Sequence, residues 1–354
     1  MIRDLQYLKY IDGICCELKK TDDKKKKTIL ISGASGMVGT VIIDVLLNMN
    51  REYGYNYKIY GLGRSLEHAK EMFGFYEDRQ DFNFDVCDIN NGISEVGDID
   101  YIIHAASNTH PIDYSMDPIG TIAANVIGTD NLLKYAVTHN CKRFVFVSSV
   151  EVYGENRGDV DSFDEEYCGY INCNTLRAGY PESKRTGETL CHAYGKKYDL
   201  DFVIPRLCRT YGPTMSLRDS KAIAQFIKNA ANEEDIILKS KGQQYYSYID
   251  VFQAAYAILY IMFKGHGKEA YNISVDSGNW YMKDVAGMAA CIAGKKVVFD
   301  LPDEKEKAGY STATRAVLNN LKLKKLGWHE IIDCREIFEY TIEIVRKRLS
   351  EKGV

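Results

Sequence analysis

The most constraining stretch of this chain lies near its start. Thr28-Ile29-Leu30-Ile31-Ser32 runs into Gly33-Ala34-Ser35-Gly36-Met37-Val38-Gly39, and the apolar run Met37–Leu47 follows at once. The first piece reads as a short buried strand and the last as a helix, so a G-x-x-G-x-x-G joins strand to helix. Glycines are needed there for a sharp turn, for close approach of backbone to a pyrophosphate, and for seating the helix on the sheet. The free amides and dipole of the helix N-terminus then hold the anion. This context predicts a dinucleotide site built on Gly33, Ser35, Gly36, Met37, Val38 and Gly39.

The same rhythm continues downstream. Strand-like apolar runs stand at 57–62, 82–86, 100–106, 143–149 and 201–206, with helical stretches between most of them, notably 119–137 and 180–199. Continuous rather than alternating apolar strands suit a parallel sheet covered on both faces, so the expected fold is α/β, a Rossmann-type doubly wound parallel sheet. The rhythm loosens beyond about residue 207. The expected organisation is therefore a dinucleotide-binding domain over 28–206 and a smaller C-terminal substrate lobe over 207–354, with some segments returning to the first. Residues 1–27 stand apart. Leu5, Leu8, Ile11, Ile14 or Cys15, and Leu18 recur at helical spacing, and the polar run 19–27 reads as a solvated linker.

Composition removes several function classes. Lysine and arginine number 45 against 49 acids, for a net charge of −4, which gives no general hold on nucleic acid. No apolar run reaches the roughly 18 residues of a membrane span, and the N-terminal segment is too interrupted for a signal peptide. The 10 cysteines are scattered, without a C-x-x-C pair or a cysteine/histidine ligand spacing. They read as small buried hydrophobes in a reducing cytoplasm, and no metal site is expected.

The end of the second strand bears on which dinucleotide is bound. An acidic residue there would take both ribose hydroxyls, but the chain has Gly61-Leu62-Gly63-Arg64-Ser65. A guanidinium and a hydroxyl at Arg64 and Ser65 suit a 2′-phosphate, so NADP(H) is expected over NAD(H).

The chemistry is carried by Tyr180-Pro181-Glu182-Ser183-Lys184. A helix places the phenol and the ammonium one turn apart on one face. A phenol of pKa about 10 is a poor base until a nearby cation stabilises its phenolate. Upstream, Ser148-Ser149-Val150-Glu151-Val152-Tyr153-Gly154 puts a hydroxyl at the C-terminal end of a strand, where open α/β sheets bind ligands.

With Ile103-His104-Ala105-Ala106, Asn125-Val126-Ile127-Gly128-Thr129, Tyr211-Gly212-Pro213 and Leu326-Gly327-Trp328, these motifs give a clear likeness. Over about residues 28–345 the chain resembles an extended short-chain dehydrogenase/reductase of the NAD-dependent epimerase/dehydratase group. The stretch Tyr180–Glu188 is most similar to the UDP-glucuronate decarboxylase branch. The resemblance implies a nucleotide-sugar in the C-terminal lobe and a homodimer in which helices 119–137 and 180–199 meet their symmetry mates. It implies Tyr180 as acid/base, Lys184 as its partner and the ribose contact, and Ser149 as the hydroxyl on the substrate oxygen. Asp85 and Val86 match adenine contacts, Ala105 and Ala106 the wall beside the cofactor, and Asn125 a further cofactor residue. Glu151 matches a catalytic glutamate or a carboxylate that orients the tyrosine.

Three departures matter. Val150 stands where family dehydratases carry an aspartate, so dehydration is not expected. Gln244 stands where a diphosphate-binding arginine is usual, and Arg209 replaces an asparagine before Tyr-Gly-Pro. Arg209 and Gln244 are the substrate-binding candidates, with Arg209 able to restore the missing charge. Together with Arg64 and Ser65, these departures lead to an NADPH-dependent reductase of a keto group on a nucleotide-activated sugar or ketose, of the kind that feeds polysaccharide synthesis. The alternative is an internal-redox epimerase or decarboxylase using NAD. A non-catalytic NADP-binding sensor would be expected to lose Tyr180 or Lys184, and both are present.

Overall fold

The computed structural model describes residues 2–109, 116–301 and 314–351. Its main sheet contains β1 (Lys27–Ser32), β2 (Tyr57–Gly63), β3 (Phe82–Val86), β4 (Tyr101–His104), β5 (Arg143–Phe146), the short β6 (Ser148–Ser149), β7 (Phe202–Leu207) and β11 (Glu269–Ile273). The spatial order is β11-β7-β5-β4-β1-β2-β3, every pair is parallel, and β6 also pairs with β7. Strand order reverses between β1 and β4, the crevice where a doubly wound sheet binds its ligand.

Both faces of the sheet are covered, as its unbroken apolar strands require. Ile29 and Ile31 of β1 join one hydrophobic layer with α2 (Met37–Tyr53) and α7 (Val251–Lys264). Leu30, between them, joins the opposite layer with Phe144, Phe146 and the helices α4 (Pro118–Thr138) and α5 (Gly179–Tyr198). Successive strand side chains point to opposite faces, so one apolar run serves two cores.

The N-terminal helix α1 (Leu5–Leu18) forms where its spacing predicts and buries Ile11, Ile14, Cys15 and Leu18 of the expected face. At its start Leu5 is 80% exposed, whereas Tyr7 and Tyr10 are buried, so two tyrosines rather than the first leucine carry the contact there. The helix packs on α2 and α7. Asp44 of α2 anchors it, accepting from Tyr7 Oη at 2.6 Å, Tyr76 Oη at 2.8 Å and Arg3 twice at 2.9 Å. The solvated-linker expectation fails at Lys27. It is buried at the start of β1, where Asp22, at 2.9 Å, and Asp23 neutralise its ammonium.

A second sheet brings β8 (Arg209–Tyr211), β12 (Asn279–Tyr281) and β14 (Arg315–Ala316) around β10 (Tyr245–Asp250). The shorter pair β9 (Ile236–Leu238) and β13 (Val297–Phe299) forms a separate ladder, with α6 (Ala222–Ala231) against β9. Because β8 begins two residues after β7 ends, the second sheet is tied directly to the C-terminal edge of the first.

Candidate active site at the carboxyl ends of the sheet

A single cavity of about 1560 Å³ runs from the glycine loop, past the end of β6, to the second sheet. The loop is built as a cradle. Gly33 has φ +71°, and a Cβ there would lie 2.7 Å from the backbone of Ala105 and Ala106 at the end of β4. A Cβ at Gly39 would lie 2.4 Å from the Gly33 carbonyl oxygen, so the first turn of α2 closes on the loop only without one. Gly36 caps α2 with no side chain, leaving the helix N-terminal amides for an anion. Ser107, just beyond β4, lines the same space, and its Oγ is buried without a partner. These residues fit a dinucleotide.

Around the end of β2, Arg64 faces the cavity and Ser65 does not. Arg64 lines the cavity and donates from Nη2 to Asn108 Oδ1 at 3.2 Å. Ser65 caps the helix α3 (Leu66–Phe73), its Oγ accepting from the His68 amide at 3.1 Å, and it is not part of the lining. His68 is, with Nε2 3.1 Å from the Ser35 carbonyl oxygen, and sequence reading missed it. Its only signal was a position three residues after a capping serine. A Cβ at Gly63 would meet the Phe84 ring at 2.9 Å, so an acidic side chain has no room there.

The catalytic candidates converge. Tyr180 and Lys184 lie buried in the first turns of α5, with Ser149 and Glu151 facing the same cavity. Lys184 Nζ donates to the Val147 carbonyl at 2.9 Å and sits 4.9 Å from the centre of the Phe146 ring. Burial pulls its ammonium down to about 8, against the opposing pull of Glu188. Glu188 is itself held by Arg206 at 2.6 Å and by Ser148 Oγ at 2.6 Å. His104, buried between Ser32 Oγ at 2.7 Å and Thr129 Oγ1 at 3.0 Å, is pushed well below the usual histidine range by burial and by Lys184. It is therefore a neutral structural histidine.

Ser149 Oγ accepts from the Glu151 amide at 3.3 Å, so its own proton is left to donate into the cavity. Glu151 faces Arg177 Nη2 at 3.9 Å, and both line the cavity; Arg177 was not singled out by sequence. Val150, between Ser149 and Glu151, is buried and brings no titratable group to the cavity. On the far wall the Arg209 guanidinium lies over the Tyr246 ring at 3.4 Å, and Gln244 accepts from Ser240 Oγ at 3.1 Å.

Asp85, Val86, Ala106 and Asn125 lie outside the lining, whereas Ala105 is part of it. Asn125 is buried between α4 and α5, donating to Ser183 Oγ at 3.0 Å, which in turn donates to the Tyr180 carbonyl at 2.9 Å. It therefore steadies the turn that carries the tyrosine.

A family model described as the NAD dependent epimerase/dehydratase family matches residues 29–274. UDP-glucuronic acid decarboxylase 1 of Xenopus tropicalis is 28% identical over 346 residues, spanning 95% of this chain and 76% of that protein. UDP-glucuronic acid decarboxylase 3 of Arabidopsis thaliana is 28% identical over 330 residues, spanning 91% of this chain and 90% of its own. Among solved structures, a dTDP-glucose 4,6-dehydratase from Streptomyces venezuelae with NAD bound superposes with a TM-score of 0.79 at 22% identity, covering 92% of this chain and 98% of that one. The UDP-glucuronic acid 4-epimerase of Bacillus cereus gives a TM-score of 0.76 at 19% identity, covering 91% and 99%.

Proposed function

The chain belongs to the NAD dependent epimerase/dehydratase family, and on that premise we propose that it remodels a nucleotide-linked sugar by internal redox, as a decarboxylase or epimerase. The observation that carries this reading is the single cavity that holds the glycine cradle, the Tyr180–Lys184–Ser149–Glu151 group and the Arg209 wall together. The net ketone reduction expected from sequence takes second place, because the relatives matched over most of the chain are decarboxylases.

A nicotinamide dinucleotide in the cradle would supply the hydride acceptor and return the hydride within one turnover. Tyr180 would take the proton of a sugar hydroxyl as that carbon is oxidised, and give it back on reduction. Ser149 would donate to the oxygen as it becomes a carbonyl. In a uronic acid, a ketone β to the carboxylate lets the C–C bond break. Carbon dioxide then leaves, the electron pair rests on the enolate, and a proton must be supplied to carbon. Glu151, a carboxylate in the cavity lining 3.9 Å from Arg177, would relay that proton from solvent to the carbon. Val150 offers none for expelling a hydroxyl, which argues against dehydration.

The test is incubation with UDP-glucuronate without added reductant, followed by NMR of the sugar. A decarboxylated or epimerised product is expected, with no net change in reduced cofactor. Turnover seen only with a keto sugar and added NADPH would overturn the proposal in favour of the reductase. That second reading rests on Arg64 and His68 beside the glycine loop, which suit a 2′-phosphate.

We also propose a homodimer. Ile119 and Ile122 are exposed on α4 with half-buried Val126 one turn on, an apolar face beside α5. A reducing compartment such as the cytoplasm would suit the 10 unbonded cysteines.

A further inference from the structure

The cations that line the cavity are mostly spoken for. Lys221 lies 3.7 Å from Asp219, Arg177 lies 3.9 Å from Glu151, and Arg348 donates to the Pro213 and Met215 carbonyls. Arg209 differs. Its guanidinium carbon lies 3.4 Å over the centre of the Tyr246 ring, and Nη1 is buried with no hydrogen-bond partner. A buried charged donor left unmade is costly, and six buried side-chain atoms lack a partner among the described residues. Three of them, Ser107 Oγ, Arg209 Nη1 and Ser220 Oγ, belong to residues that line this one cavity.

Position adds to chemistry. Leu207 pairs with Ser149 in the main sheet, and Arg209, two residues on, pairs with Tyr248 in the second sheet. The guanidinium therefore sits at the seam between the catalytic strand end and the lobe. Gln244 shares the lining but is neutral, so it brings no charge to that wall. The Tyr246 face fixes the plane of the fork before anything binds, which lowers the ordering cost of a bidentate contact.

We propose that Arg209, with Ser220 elsewhere in the same cavity lining, is the anchor for an oxyanion of the substrate. The inference rests on the nucleotide-sugar reading. Two groups of such a substrate share the required chemistry, the diphosphate and a sugar carboxylate, and ligand choice separates them.

The experiment titrates uridine, UDP, UDP-glucose, UDP-glucuronate and inorganic pyrophosphate against wild type, Arg209→Gln and Arg209→Lys by calorimetry, at two salt concentrations. Unliganded melting curves verify folding of each variant. Arg209→Gln should weaken UDP and UDP-glucose about 10- to 100-fold if the diphosphate is held, or UDP-glucuronate alone if the carboxylate is held. Uridine should be unchanged, and the salt dependence of UDP binding should flatten in the variant. Arg209→Lys, which keeps the charge but loses the fork, should fall between. Equal affinities of wild type and Arg209→Gln for all the anions would overturn the proposal. If wild type binds pyrophosphate through Arg209 but no nucleotide-sugar, the anchor stands and the substrate reading falls. If wild type binds none of the anions, both fall.

Discussion

Lys184 donates from Nζ to the carbonyl oxygen of Val147 at 2.9 Å, tying the helix that carries Tyr180 to the strand end that carries Ser149. The bond sets the ammonium in a buried place and gives it a titration that can be followed. Its folded value is about 8, lowered by burial from 10.5. Between those two values the unfolded chain binds the proton and the folded chain does not, so this group's contribution to stability rises with pH across that window. It is lost as pH falls through about 8. The stability of wild type relative to Lys184→Met should therefore increase from pH 7.5 to 10, by at most about 3 kcal/mol. Urea denaturation of both proteins at the two pH values measures this, and a pH-independent difference would remove the buried ammonium from the account.

Tyr180→Phe should keep the fold and cofactor binding, since the ring stays buried and only the phenolic oxygen is lost. Turnover should drop by about 10²- to 10⁴-fold, the usual contribution of a positioned acid/base. Steady-state rates within tenfold of wild type would end the assignment.

How far the sequence was readable depended on whether each signal was local. The strand–glycine–helix unit at 27–53 and the Tyr180–Lys184 spacing each lie within one continuous stretch of chain, and both are visible as pattern. Helix α7 was not, because Val251–Met262 is buried all round and such a run has no helical period to detect. Lys27 sits in a run of lysines and is set apart only by Asp22 and Asp23 closing on it in the fold. His68 and Arg177 reach the cavity through contacts made across loops, His68 with Ser35 and Arg177 with Glu151, which no spacing announces.

The docking of the N-terminal helix gives a stability prediction. Asp44 is buried and accepts from Arg3, Tyr7 and Tyr76, and the Arg3 side chain is only 10% exposed. Asp44→Ala leaves a buried guanidinium and a buried phenol unmatched, which should destabilise by about 3–5 kcal/mol. Chemical denaturation reads the loss directly. A cost under about 1 kcal/mol would mean that α1 is held by its apolar face alone.

Ile119 is 79% exposed on α4, so Ile119→Asp should leave the monomer's stability unchanged. If that face is the two-fold contact, light scattering should show the wild type as a dimer at micromolar concentration and the variant shifted toward monomer. A monomeric wild type, or a variant that dimerises as well as wild type, would place any assembly elsewhere.

Cofactor choice separates the two enzyme readings most sharply. Arg64 is exposed at the cavity rim with one weak bond to Asn108, so its fork is available to a phosphate on the adenosine ribose. Should NADP(H) be the cofactor, Arg64→Ala would lower NADPH affinity about 10- to 100-fold and leave NADH almost unaffected, because only the former presents the extra phosphate. Internal redox makes a different demand, since the hydride is returned to the same substrate and nothing is gained by releasing the dinucleotide. On that reading NAD should copurify with the protein and exchange slowly, and Arg64→Ala should change neither its occupancy nor turnover by more than about twofold, the loss of one exposed contact. Titration of both cofactors against wild type and variant, with the nucleotide content of freshly purified protein, decides between them. Empty protein that prefers NADPH, and loses that preference with Arg64, would put net reduction first.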